Sequence, residues 1–125
     1  MSGSTETGPL RHIVLLTWKP DAESEAIRAA VDGLAGLPAR IPELTRYRLG
    51  TDLGIVDGNA DFAIVGDFDD TAAWRRYQEH PEHQRVIVEL LRPIIASRVA
   101  VQVPYPGSPS PGNPSPGNPD PGTSD

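Results

Sequence analysis

Apolar residues in the first third of the chain change their spacing at Pro20. Before it, the run from Arg11 to Trp18 is rich in β-branched and aromatic side chains, which predicts a strand covered on both faces. After it, Asp21 offers an N-cap, and apolar side chains recur at helical spacing as far as Pro38. The buried stripe of this predicted helix consists of Ile27, Ala30, Val31, Leu34 and Leu37.

The middle of the chain has the pattern of a β-hairpin. Residues Leu44–Leu53 and Asp61–Phe68 are both rich in strand-forming residues, and the Asp-Gly-Asn sequence at 57–59 is typical of a turn. Gly50 lies inside the first of these strands, where glycine indicates a bulge or a close backbone approach. We expect the two strands to pair antiparallel.

Two helices are predicted in the last third of the chain, with Pro81 between them. Asp70 and its neighbours offer an N-cap for the first, and Ala73, Trp74 and Tyr77 mark its buried side. Pro81 interrupts that helix because it has no backbone N–H, but it is favourable in the first turn of a new helix. The second helix would bury His83, Ile87, Leu90, Leu91 and Ile94, and Pro93 falls near its end.

A short strand over Val99–Val103 completes the order β-α-β-β-α(α)-β. This order is the ferredoxin-like split βαβ arrangement, an α+β fold. Its strands carry apolar residues of both parities, whereas one layer of helices covers only one face of a sheet. The sequence therefore predicts that a second copy covers the other face, which gives a dimeric α/β barrel.

Composition divides the chain into three parts. Residues 1–9 are small and polar, and we expect a disordered arm there. Residues 10–103 hold the apolar positions and are predicted to form the folded domain. Residues 104–125 repeat Ser-Pro-Gly-Asn-Pro without any aliphatic side chain, so this tail is predicted to stay disordered.

The formal net charge of −6 argues against a nucleic-acid partner, because a phosphate backbone needs a basic face. An anionic membrane surface is disfavoured for the same reason, and the longest apolar run is too short to span a bilayer. The chain has no cysteine, which excludes disulfides and thiolate chemistry. Its first residues do not have the pattern of a secretory signal, so the expected location is the cytoplasm.

His83 is the candidate general base. It lies on the apolar stripe of the last predicted helix, and Tyr77 precedes it at the helix break. His12 has the strand parity of Val14 and Leu16, so it shares a pocket with His83 if that parity faces the helices. An imidazole with a pKa of about 6.5 can exchange protons at neutral pH, and a nearby tyrosine can orient or protonate a carbonyl oxygen. Burial explains the same spacing, in which case both residues are packing residues.

A metal site is the less favoured interpretation of the histidines. His80 and His83 with His12 and Glu82 offer donor atoms, but Pro81 distorts their spacing and no second ligand cluster exists in the sequence. His80 is instead expected to cap the helix break. We predict neither a metal nor a cofactor.

Four segments resemble the stress-responsive dimeric α/β-barrel (Dabb) family. Arg11–Leu16 is similar to its opening strand, and residues 77–83 are similar to its Tyr-x-x-His-Pro-x-His motif. Ile41-Pro42 with Gly50-Thr51-Asp52 resembles its second strand, and Phe68-Asp69-Asp70 resembles the segment before the motif. The resemblance spans residues 10–103 and implies a homodimer.

Within that family, the chain resembles the olivetolic acid cyclase-like type, a cofactor-free polyketide cyclase that performs an intramolecular aldol condensation. The resemblance then implies that Tyr77 and His83 are the catalytic pair and that His12 lines the pocket. Phe62 stands where that type has another histidine. The residues expected to contact a small hydrophobic or polyketide-like substrate are His12, Val14, Leu16, Tyr47, Phe62, Ile64, Trp74 and Ile87.

Three functions follow from the resemblance. The first is a cofactor-independent cyclase or lyase. The second is a non-catalytic dimeric stress-responsive or ligand-binding protein, and the third is a cofactor-free oxygenase. The fold does not decide among them, because one fold hosts many activities.

Overall fold

The computed structural model describes residues 8–106 of the chain, which fold into β-strands and helices. The strands are β1 (Leu10–Trp18), β2 (Arg46–Thr51), β3 (Phe62–Phe68) and β4 (Ile95–Pro104). The helices are α1 (Ser24–Ala35), α2 (Thr71–Glu79) and α3 (Pro81–Arg85), and α3 continues as a π-helical segment over Val86–Leu91. The predictions made for residues 1–7 and 107–125 lie outside the described residues.

The strands form one antiparallel sheet in the order β2-β3-β1-β4. β1 lies in the centre and pairs with both β3 and β4, and β2 pairs with β3 as the predicted hairpin. With the order of elements along the chain, this topology confirms the ferredoxin-like α+β fold. No helix within residues 8–106 is long and apolar enough to cross a membrane.

The start of α1 differs from its prediction. Glu23 is the N-cap and makes no capping hydrogen bond through its side chain, so the prediction of Asp21 as N-cap is wrong. The backbone N–H of Ala22 donates to the carbonyl of Lys19 at 3.0 Å, which closes a turn that contains Asp21. The helix therefore begins three residues later than Asp21, at Ser24.

Two strands also differ from their predictions. β4 begins at Ile95 rather than Val99, because residues 95–98 pair with the end of β1. β2 keeps an unbroken register with β3 through Gly50, so the predicted bulge is absent from this pair. A Cβ atom at Gly50 would meet nothing within 4 Å, and no close backbone approach requires glycine there.

The hydrophobic core lies between the helices and one face of the sheet. Gly33 lets α1 approach the π-helical segment, because a Cβ atom at this position would lie 2.7 Å from Leu90 Cδ1. The largest fully buried side chains of the core are Phe68, Leu16, Leu34, Leu37, Ile41, Leu91 and Val86.

The opposite face of the sheet carries apolar side chains that no other part of residues 8–106 covers. Leu15 is 40% exposed, and Val99, its partner across the β1–β4 pair, is 63% exposed. Val101 on the same face is 49% exposed. Within the described part of the chain, this apolar face of the sheet is thus uncovered.

Candidate active site

A cavity of about 390 Å³ lies between the helix-facing side of the sheet and the helices that follow β3. It contains seven of the ten site residues predicted from the sequence, which are His12, Val14, Leu16, Ile64, Tyr77, His83 and Ile87. His12 on its strand and His83 on its helix therefore line the same cavity, as their positions in the sequence predict. The side chains that sequence reasoning did not assign to it are Leu34, Gln78, Gln84, Leu91, Arg92, Ile95 and Arg98.

The other three predicted site residues do not line the cavity. Phe62 is buried at the start of β3, where the centroid of its ring lies 5.6 Å from that of Trp18. The Trp74 ring makes a T-shaped contact with the His12 imidazole, with ring centroids 5.8 Å apart. Tyr47 lies on the edge strand β2.

The break between α2 and α3 determines the positions of the residues in the 77–83 motif. Asp70 caps α2 by accepting a hydrogen bond from Ala73 N at 2.8 Å. His80 caps α3, with its Nδ1 accepting from Glu82 N at 3.1 Å, and Pro81 occupies the first position of that helix. The predicted capping role of His80 is confirmed. The turn brings the α3 residue His83 back against α2.

Tyr77 and His83 lie in direct contact. Their ring centroids are 4.3 Å apart, and both side chains are buried, at 3% and 7% exposure. Tyr77 also packs on Phe68 at 5.0 Å and lies 6.2 Å from the His12 ring. The tyrosine thus stands between the two histidines of the cavity.

The backbone fixes the protonation of His83. Its Nδ1 lies 3.3 Å from the carbonyl oxygen of Gln78, and a carbonyl can only accept a hydrogen bond. Nδ1 therefore carries the proton in the neutral ring, and Nε2 keeps its lone pair. Burial lowers the pKa of His83, although the Gln78 carbonyl opposes this, so the ring is neutral at pH 7.

The opposite tautomer is set in His12. Gln102 donates from its Nε2 to His12 Nδ1 at 2.9 Å, which leaves the proton of the neutral ring on Nε2. Burial, with smaller contributions from Arg98 and His83, lowers the pKa of His12 to about 4. His12 is therefore a neutral hydrogen-bond donor at physiological pH.

Tyr77 is a donor as well. Burial raises its pKa to about 12, so the phenol keeps its proton at any physiological pH. Burial and the neighbouring Tyr77 raise the pKa of Tyr47 too. The Tyr47 hydroxyl is buried and makes no hydrogen bond of good geometry within residues 8–106. Tyr77 therefore raises the pKa of Tyr47 through its proximity, without a well-formed hydrogen bond between the two hydroxyls.

One row of paired residues across the sheet supports these groups. Tyr47, Gly66, His12 and Gln102 are successive partners on β2, β3, β1 and β4. A Cβ atom at Gly66 would lie 3.2 Å from Leu44 Cδ2 and 3.6 Å from the Tyr47 ring. Glycine at this position leaves room for the aromatic rings on either side.

The arrangement can perform acid–base chemistry without help from an ionised side chain. It offers one imidazole nitrogen with a free lone pair on His83, and two neutral donors on Tyr77 and His12. Within residues 8–106 no group of three histidine, aspartate or glutamate side chains is placed to hold a metal ion.

The chain matches known proteins along its described part. Residues 10–104 match the family model of the stress responsive A/B barrel domain. No curated protein matches the chain.

Solved structures show the same fold. A dimeric ferredoxin-like protein of unknown function from Thermobifida fusca is 39% identical, with a TM-score of 0.73 over 80% of this chain and 93% of that one. A Dabb family protein from Mesorhizobium loti is 23% identical, with a TM-score of 0.66 over 78% and 98%. Hydroxynitrile lyase from Passiflora edulis is 19% identical, with a TM-score of 0.71 over 83% and 99%, a likeness of fold alone.

Proposed function

This chain belongs to the stress-responsive A/B barrel (Dabb) domain family, and on that premise we propose that it is a cofactor-independent acid–base enzyme. The reaction we propose is an intramolecular aldol-type condensation of a small polyketide-like substrate, as in a polyketide cyclase. One observation carries the proposal: a neutral His83 with a free Nε2 and two neutral donors share one cavity.

The first step needs a base next to a donor. His83 Nε2 would take a proton from the carbon next to a carbonyl group, and the negative charge would move to the carbonyl oxygen. Tyr77 Oη–H and His12 Nε2–H would stabilise that enolate by hydrogen bonds. Donors placed in advance at a developing oxyanion are worth more in a water-excluded site than in bulk water.

The second step returns the proton. The enolate carbon would attack a second carbonyl of the same molecule, which forms a carbon–carbon bond and an alkoxide. The alkoxide would take its proton from the His83 imidazolium, and this restores the neutral ring. No electron is gained or lost, so these steps need no redox partner.

The cavity suits a small molecule that has both an apolar body and polar groups. Its volume of about 390 Å³ falls in the usual range for ligand sites. Half of its fourteen lining residues are aliphatic, and the other half carry polar groups. The aliphatic lining consists of Val14, Leu16, Leu34, Ile64, Ile87, Leu91 and Ile95.

The alternatives from the sequence remain distinct proposals. A protein of the same fold is named as a hydroxynitrile lyase, which supports a lyase as one alternative. A non-catalytic ligand-binding protein would use the same cavity without proton transfer. A cofactor-free oxygenase would consume oxygen, which the cyclase reaction does not.

We also propose that the working form is a homodimer. The solved relative from Thermobifida fusca is described as dimeric. The exposed apolar face around Leu15, Val99 and Val101 is the surface that a second copy would cover. Two such sheets packed face to face would form the barrel that the sequence predicts.

Proton exchange tests the proposed chemistry without knowledge of the natural substrate. Benzylacetone and levulinate, two small ketones, are incubated with the protein in D₂O, and deuterium uptake next to the carbonyl is followed by NMR. We expect the protein to accelerate exchange over a buffer of the same pH and over heat-denatured protein. Binding of a ketone without faster exchange would favour the non-catalytic alternative, and oxygen uptake would favour the oxygenase.

A further inference from the structure

The charged residues of the cavity are positive, whereas the chain as a whole is negative. The protein has a formal net charge of −6, yet no aspartate or glutamate among the described residues lines the cavity. His12 and His83 are neutral at pH 7, for the reasons given above. Its formal charges are therefore the two guanidinium groups of Arg92 and Arg98.

Arg98 is placed to act on the reactive groups. It pairs with Leu16 across β1 and β4, so both side chains lie on the face of the sheet that lines the cavity. The Arg98 side chain is exposed, which places it where the cavity meets solvent. Its charge lowers the pKa of His12, His83 and Tyr77 alike, whereas Arg92 has no such effect on them.

Arg98 has no ion-pair partner among the described residues. In the same part of the chain, four other arginines form ion pairs with carboxylates, namely Arg11, Arg40, Arg76 and Arg85. Arg98 forms neither an ion pair nor a hydrogen bond through its side chain with any residue from 8 to 106. A guanidinium at the opening of a cavity without a lining carboxylate is thus available to an external anion.

We propose that the ligand of this cavity carries a carboxylate, which pairs with Arg98 while the apolar body and its carbonyl lie deeper, toward Tyr77 and His12. The planar fork of a guanidinium matches a carboxylate in two parallel hydrogen bonds. The substrate class is therefore a free keto acid rather than its ester, thioester or amide. The carboxylate preference concerns binding alone, and only the role of the carbonyl rests on the proposed function.

A matched pair of ligands tests this assignment. Phenylbutanoate and phenylbutanamide have nearly the same shape and differ in charge. Their affinities for the full chain are measured by calorimetry at pH 7.5 and low salt. We expect the carboxylate to bind about tenfold more tightly or better, since charge-assisted bonds are about twice as strong as neutral ones.

Substitutions test whether the preference for a carboxylate ligand depends on Arg98. In Arg98→Gln the two affinities should become equal within about twofold, and Arg98→Lys should keep part of the preference because it keeps the charge. Arg28→Gln changes an exposed arginine of α1 that does not line the cavity, so it should keep the full preference. Melting curves of each variant confirm that it is folded.

Three results would overturn the proposal: equal binding of the two ligands to the unchanged protein, no binding of phenylbutanoate at its solubility limit, or an undiminished preference in a folded Arg98→Gln. The ketone exchange assay is independent of these results. Exchange of benzylacetone with no carboxylate preference would leave the enzyme proposal standing and sink this one. A carboxylate preference that depends on Arg98, without any proton exchange of the ketones, would support this proposal and contradict the enzyme proposal.

Discussion

The side-chain amide of Gln102 lies 2.9 Å from Nδ1 of His12 and thereby determines which nitrogen of that imidazole carries the proton. The two residues are paired across β1 and β4, so the backbone register holds them together. His83 has the complementary tautomer because its Nδ1 faces the Gln78 carbonyl. The cavity thus holds one imidazole that donates from Nε2 and one that accepts there.

Replacement of Gln102 should change His12 without changing the fold. In Gln102→Glu a carboxylate faces Nδ1, and because it can only accept, the proton should move to Nδ1. The negative charge should also raise the pKa of His12 well above its value of about 4. Nitrogen chemical shifts of the ring, followed through a pH titration, report both changes. Gln102→Leu is the control without charge, and an unaltered tautomer in the glutamate variant would contradict the assignment.

The buried histidines predict how stability depends on pH. In the folded protein the pKa of His12 is about 4, below its ordinary 6.5, and the pKa of His83 is lowered too. The unfolded chain therefore binds more protons between these values, so the free energy of unfolding should fall as the pH drops from about 6.5 toward 4. Urea denaturation across this range measures it. His12→Asn should flatten the slope, and an equal slope in that variant would be inconsistent with a buried neutral ring.

His80 should matter for stability and little for chemistry. Its imidazole caps α3 through Glu82 N, and loss of an N-cap costs about 0.5–2 kcal/mol. We expect His80→Ala to lower the free energy of unfolding by about that amount, and His80→Asn to retain most of it because asparagine also caps. Urea denaturation distinguishes the two. The interpretation fails if alanine and asparagine variants are equally stable.

The exposed face of the sheet should control assembly. Val99→Lys places a charge where a second copy would pack, so this variant should be a folded monomer in ultracentrifugation at micromolar concentration. Val88→Lys is the matched control, because Val88 is also exposed, at 44%, but lies on the helical side. A monomeric parent protein, or a Val99→Lys variant that stays dimeric, would refute the barrel.

The sequence was sufficient to predict the site residues that lie on one face of a regular strand or helix. Strand alternation placed His12, Val14 and Leu16 on one face, and helical spacing placed Tyr77 and His83 toward the same core. Pro81 identified the helix break, and its neighbour His80 was correctly assigned as a cap. These features depend on local rules that hold whatever the element packs against.

The remaining parts depend on strand pairing, which one sequence does not encode locally. Arg98 was missed because Ala96-Ser97-Arg98 has no strand pattern of its own and extends β4 only by pairing with β1. Gln102 lies within the predicted strand, but its partner His12 follows from the register alone. Phe62 faces the core as its parity suggests, yet its place along β3 puts it beside Trp18 rather than in the cavity.

The central claim is that His83 is the base and Tyr77 a donor to the same oxygen. Rates of ketone proton exchange in His83→Ala, Tyr77→Phe and His80→Ala, each compared with the parent protein, test it most directly. We predict a loss of about 10²–10⁴-fold for His83→Ala, about tenfold for Tyr77→Phe, which removes one hydrogen bond to a charged oxygen, and almost none for a folded His80→Ala. Full exchange activity in His83→Ala, with activity lost in His80→Ala, would contradict the account.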